Sequence, residues 1–110
     1  MNQAYRDEID NIVKAIADAG MVSKLILFGS LARGDEQPDS DIDLCALTEI
    51  TDRRPIDVAV ALREKLIGIK AKPLDLLAFR AADFEERSRR RSTFEYVIDR
   101  DGVVLYDGTK

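Results

Sequence analysis

The sequence predicts an α/β or α+β fold, a small mixed β-sheet flanked by helices. Three observations carry that prediction. Apolar residues recur at helical spacing in three segments, short apolar runs ended by turn residues lie among them, and the two kinds of segment are interspersed along the chain. With 110 residues, 45% apolar and 35% charged, the chain is long enough to bury one core and is read as one domain over residues 1–110.

The elements follow in order. From Asn2 to Ala19, Tyr5, Ile9, Ile12, Val13 and Ile16 make the apolar stripe of an amphipathic helix, with Gly20 as its stop. Lys24 to Phe28 (KLILF) is a buried strand ended by glycine. Arg33 to Ser40 holds Gly34 and Pro38 and reads as a loop, with a helical turn after Gly29. Asp41 to Leu47 (DIDLCAL) is a second strand. Thr51 or Asp52 then caps a helix that has Pro55 in its first turn and Val58, Ala59, Leu62, Leu66 and Ile69 on one stripe. Pro73 to Phe79 (PLDLLAF) is a third strand. A helix runs from Asp83, its N-cap, to about Asp99, and Asp101-Gly102 turns the chain into a short fourth strand, Val103 to Tyr106.

Composition removes much chemistry. There is no histidine and one cysteine, Cys45, so His-based acid–base and nucleophilic catalysis, zinc clusters and an internal disulfide are all excluded. Carboxylates, Lys/Arg, hydroxyls, backbone groups and hard metals remain. A net charge of −4 gives no electrostatic case for direct nucleic-acid binding. The N-terminus, MNQAYRDEID, is polar and acidic, and no apolar run approaches the roughly 20 residues that cross a bilayer. A cytoplasmic protein with no membrane partner is expected.

The chemistry concentrates in LFGSLARGDEQPDSDIDL, Leu27 to Leu44. Residues two apart on a strand share a face about 6.5–7 Å apart, so Asp41 and Asp43 aim two carboxylates into one space while Ile42 and Leu44 enter the core. Such a pair calls for protonation, hydration or a cation. With oxygen donors alone the cation is Mg²⁺ or Mn²⁺, which keeps positions open for water and phosphate. Gly29-Ser30 lies where the first strand ends; its backbone N–H groups and hydroxyl suit a phosphate, and Arg33 one turn on adds a cationic fork. No GK[ST] follows, so this is not a P-loop. Asp75, an acid within an apolar strand, joins Asp41 and Asp43 if its strand lies beside the second. Two metals held there can activate a hydroxyl and stabilise leaving pyrophosphate.

Each feature has a plainer alternative. Asp41 and Asp43 suit a solvated edge strand, Arg33 can pair with Asp35 or Glu36, and Asp39 and Ser40 are typical turn residues. Cys45 reads as a packed core residue. The run Arg87, Arg89, Arg90, Arg91 is either a solvated helix face offset by Glu85 and Glu86 or a contact for triphosphate or partner. Phe84, Phe94 and Tyr5 read as core, or as interface if the domain is too small to cover them.

Gly29-Ser30, ten residues, then Asp41-Ile42-Asp43 and a later strand acid resembles the DNA polymerase β-like nucleotidyltransferase superfamily. GSLARGDEQPDSDIDL is similar to the GSxARGxxxxxSDxDL pattern of minimal nucleotidyltransferase (MNT) antitoxins of HEPN/MNT toxin–antitoxin pairs. The resemblance implies that Asp41, Asp43 and Asp75 bind metal, two Mg²⁺ ions, and that Gly29 and Ser30 hold the triphosphate of ATP. It also implies AMP transfer from ATP to a tyrosine of a cognate HEPN-domain toxin ribonuclease, with pyrophosphate released and the two proteins in a hetero-oligomer. The alternatives are a nucleotidyltransferase acting on a small-molecule hydroxyl and an antitoxin that blocks its toxin by binding alone.

Overall fold

The computed structural model describes residues 1–69 and 72–109. Four strands form one mixed sheet in the order β3-β2-β1-β4: β1 (Lys24–Phe28), β2 (Ile42–Thr48), β3 (Leu74–Arg80) and β4 (Val103–Asp107). β1 runs antiparallel to both β2 and β4, while β2 and β3 are parallel. Strand alternation divides the side chains between two faces. Leu25, Leu27, Ile42, Leu44, Ala46, Leu74 and Leu76 point to one, where α1 (Gln3–Ala19) and α3 (Pro55–Lys65) close the larger core through Ile9, Ile12, Ile16, Val58 and Leu62. Ile26, Cys45 and Leu47 point to the other, covered by Phe84 of α4 (Ala81–Ser88) and Ile98 of α5 (Phe94–Asp101). The expected mixed sheet flanked by helices is what the chain forms.

Local chemistry sets most boundaries. Asn2 caps α1 by accepting from the Tyr5 N–H at 3.0 Å, and Gly20 ends it in the left-handed region at φ 72°. The turn after Gly29 is a short helix, α2 (Gly29–Arg33).

Three expectations are corrected. The cap of α3 is neither Thr51 nor Asp52: the chain enters the helix at Pro55, and Arg54 flanks it without a capping bond, gripping Asp57 instead at 3.0 and 3.1 Å. The arginine at the flanking position has no side-chain oxygen to accept from the first-turn N–H groups, and proline at the first position leaves one fewer of them to satisfy. Ile69 lies beyond the end of α3 and is exposed. The single helix expected from Asp83, as N-cap, to about Asp99 is two, and the first begins at Ala81 with Asp83 inside its first turn rather than at its cap. Thr93 starts α5 by accepting from the Tyr96 N–H at 3.1 Å, and its hydroxyl lies 2.7 Å from the Arg87 carbonyl, so local side-chain bonds outcompete helix continuation. The break allows Phe84 and Ile98, on separate helices, to reach the same sheet face.

Candidate active site

The site is assembled by strand pairing. In the parallel β2–β3 ladder Asp43 sits directly opposite Asp75, and in the antiparallel β1–β2 ladder Phe28 sits opposite Asp43. The face that α4 and α5 cover further along the sheet is left open here. Asp43 is half-buried and Asp75 exposed. Their carboxyl groups are close enough to share a hydrogen bond, which requires a proton on one of them. Burial first, then the Asp75 charge, that hydrogen bond and the Asp41 charge push the Asp43 carboxyl up to about 6, against a smaller opposing pull from Arg33.

Gly29 makes room for this pair. It adopts φ 75°, and a Cβ at that position would lie 2.2 Å from Oδ2 of Asp43 and 3.0 Å from its Cγ. Any side chain would therefore collide with the carboxylate, and the left-handed conformation is itself costly for L residues. Ser30 follows in the first turn of α2, whose N-terminus carries no side-chain cap. Gly34 closes this short helix in the left-handed region at φ 79°.

The structure treats the remaining candidates differently. Asp41 lies one residue before β2, not on it, and is exposed. It therefore does not share the strand face with Asp43 by alternation, although its charge reaches Asp43. Among the described residues no group of three Asp, Glu, His or Cys side chains is gathered closely enough to hold an ion. Arg33 pairs with Asp35 at 3.3 Å, as the plainer reading had it, while remaining close enough to influence Asp43. Ser40 is a turn residue, its hydroxyl accepting from the Gln37 N–H at 2.7 Å. Cys45 is fully buried, and burial pushes its thiol up to about 12. Arg89 and Arg90 pair with Glu85 and Glu86 at 3.1 and 3.0 Å on an exposed helix face. Arg87 instead binds the buried Glu95, which packs on the sheet side of α5.

Tyr5, a core residue as its place on the apolar stripe implies, also carries a polar role that the sequence does not announce. The Tyr5 hydroxyl donates to the Ser40 carbonyl at 2.6 Å, fixing the segment that leads into Asp41. Its hydroxyl pKa is raised by burial and then by the charges of Asp39 and Asp41. Glu8, one turn on, accepts from the Lys72 N–H at 2.9 Å just before β3. Helix α1 thus holds both segments that lead into the acidic pair, through contacts 35 and 64 residues apart in sequence. No local pattern announces such bonds.

Residues 7–107 match the nucleotidyltransferase domain family. The chain belongs to that family. Among solved structures, this nucleotidyltransferase-family chain is similar to a candidate nucleotidyltransferase from Sulfolobus solfataricus, with a TM-score of 0.63 and 19% identity over 94% of this chain and 81% of that one. It is also similar to an MntA–HpeT toxin–antitoxin complex, at TM-score 0.61 and 22% identity over 89% and 72%. A third is the MNT antitoxin complex of the tri-AMPylated HEPN toxin of Shewanella oneidensis, at TM-score 0.53 and 20% identity over 93% and 71%. At these identities the shared property is the fold. No curated protein matches the sequence. Among the described residues no helix is long and apolar enough to cross a membrane.

Proposed function

We propose that the chain is an Mg²⁺-dependent adenylyltransferase that moves AMP from ATP to a tyrosine hydroxyl of a cognate HEPN-domain toxin and so silences it. The observation that carries the reading is the Asp43–Asp75 pair, register-matched on adjacent strands and pressed against the side-chain-free Gly29. The site residues fit a hard divalent ion: the donors are oxygens alone, and two facing carboxylates leave a charge for a cation to neutralise. Asp41, Asp43 and Asp75 would hold two such ions, with Asp41 turning inward from its exposed position. Bound there, Mg²⁺ would supply charge neutralisation at the reacting phosphate and at the departing pyrophosphate.

The protein groups then divide the remaining work. Gly29 and Ser30 hold the phosphates through backbone N–H groups and the serine hydroxyl, and Arg33 adds a cationic donor at their edge. Asp75 is the exposed member of the pair and takes the proton from the acceptor hydroxyl. That oxygen bonds to the α-phosphorus, the bond from the α-phosphorus to the α–β bridging oxygen breaks, and pyrophosphate leaves with the electron pair. The toxin–antitoxin neighbours, one with an AMPylated HEPN toxin, support a protein acceptor over a small molecule. The test is to incubate the chain with the protein encoded beside it, ATP and Mg²⁺, and weigh both intact. Addition of one or more AMP units to the neighbour is expected. Neutralisation with no mass change would overturn the catalytic reading in favour of blocking by contact.

A further inference from the structure

Near the acidic pair a large aromatic side chain, Phe94, is left in solvent. Phe94 opens α5 as a residue 51% exposed, its ring set edge-to-face on Phe28 with centroids 5.7 Å apart and planes at 83°. Phe28 is the last residue of β1, faces Asp43 across the ladder and precedes Gly29. The backbone at Phe94 is pinned on both sides, by the Thr93 cap before it and by the buried Glu95, paired with Arg87, after it. Half-exposing a phenylalanine forfeits burial that a smaller residue would not need. A rigidly mounted aromatic ring next to a phosphate-binding turn is what a stacked base requires.

We propose that Phe94 is the nucleobase platform of this site: the purine stacks on its ring while the phosphates reach Gly29 and Ser30. The inference rests on the nucleotidyltransferase reading above and adds the base contact to it. The Phe94 ring is one ring-to-ring contact of 5.7 Å from Phe28, which pairs with Asp43 across the ladder and directly precedes the Gly29-Ser30 turn.

The full chain is titrated calorimetrically with Mg²⁺ and AMP-PNP, and separately with Mg²⁺ and inorganic tripolyphosphate, as wild type, Phe94→Leu and Phe94→Trp. Leucine keeps apolar contact with Phe28 but offers no π face; tryptophan restores one. The proposal expects Phe94→Leu to weaken AMP-PNP binding by about 5- to 100-fold, to leave tripolyphosphate binding unchanged, and Phe94→Trp to retain nucleotide affinity. Unchanged AMP-PNP affinity in Phe94→Leu overturns it, also where AMP transfer falls, since that places Phe94 against the acceptor protein. Equal weakening of both ligands overturns it as well, showing that the change disturbs the phosphate turn. Wild type binding neither ligand overturns this inference together with the reading beneath it.

Discussion

Replacing Asp43 by Asn should make the metal-free protein more stable while abolishing the proposed AMP transfer. A carboxyl that titrates near 6 in place of its ordinary 3.8 carries a difference of about 3 kcal/mol between its two protonation states. Screening at this half-exposed position reduces the usable part to about 1–2 kcal/mol. The folded chain binds the proton more tightly than the unfolded chain, so the group's stabilising contribution is complete below about pH 4 and is lost as pH rises through about 6. At pH 8 the ionised pair works against folding. Asparagine cannot ionise and has nearly the same volume, so Asp43→Asn should exceed wild type by about 1–2 kcal/mol at pH 8, with the advantage shrinking to nothing near pH 4. Urea unfolding of both proteins in EDTA at pH 4, 6 and 8 reads this directly. A variant that is less stable at pH 8, or whose difference from wild type does not change with pH, would refute the placement of Asp43 against Asp75.

Other substitutions probe the surrounding parts. Gly29→Ala should cost about 1–2 kcal/mol from the left-handed backbone alone, and its Cβ must displace the Asp43 carboxylate; thermal unfolding together with nucleotide titration should show both losses. Tyr5→Phe removes the 2.6 Å bond to the Ser40 carbonyl and should cost about 1 kcal/mol. Its effect on the proposed AMP transfer should appear as a higher Mg²⁺ concentration for half-maximal rate, since Asp41 loses its support while Asp43 and Asp75 keep theirs. Arg87→Met leaves the buried Glu95 unpaired and should destabilise by about 1–3 kcal/mol; adding Glu95→Gln should recover most of that in a double-mutant cycle.

How much of this could be read beforehand depended on how local the cause was. Helix α1 and strand β1 were legible because their apolar periodicity and glycine stops are written within a few residues. The pairing of Asp43 with Asp75 was legible only conditionally: each acid stands out in an apolar strand, but their meeting depends on parallel β2–β3 register, a relation across 32 residues that one sequence does not state. The DxD alternation places Asp41 on the strand, yet β2 starts at Ile42, held at its first residue by a bond from its N–H to the Pro73 carbonyl. The break between α4 and α5 is written in Thr93, a good cap, and in the stretch 85–93 (EERSRRRST), which has no apolar residue to hold a helix against the sheet. Exposure of Phe94 was beyond reach, because the fold, not the residue, decides which apolar side chains are covered.

The central claim is that Asp41, Asp43 and Asp75 gather divalent ions around a nucleotide held at Gly29-Ser30. Anomalous X-ray scattering from crystals grown with Mn²⁺ and AMP-PNP measures it most directly. The account predicts manganese peaks between the Asp43 and Asp75 carboxylates, with Asp41 swung in to join them and the phosphates on the Gly29-Ser30 turn. Nucleotide bound without a peak there, or Asp43 and Asp75 still hydrogen-bonded to each other beside it, would contradict it.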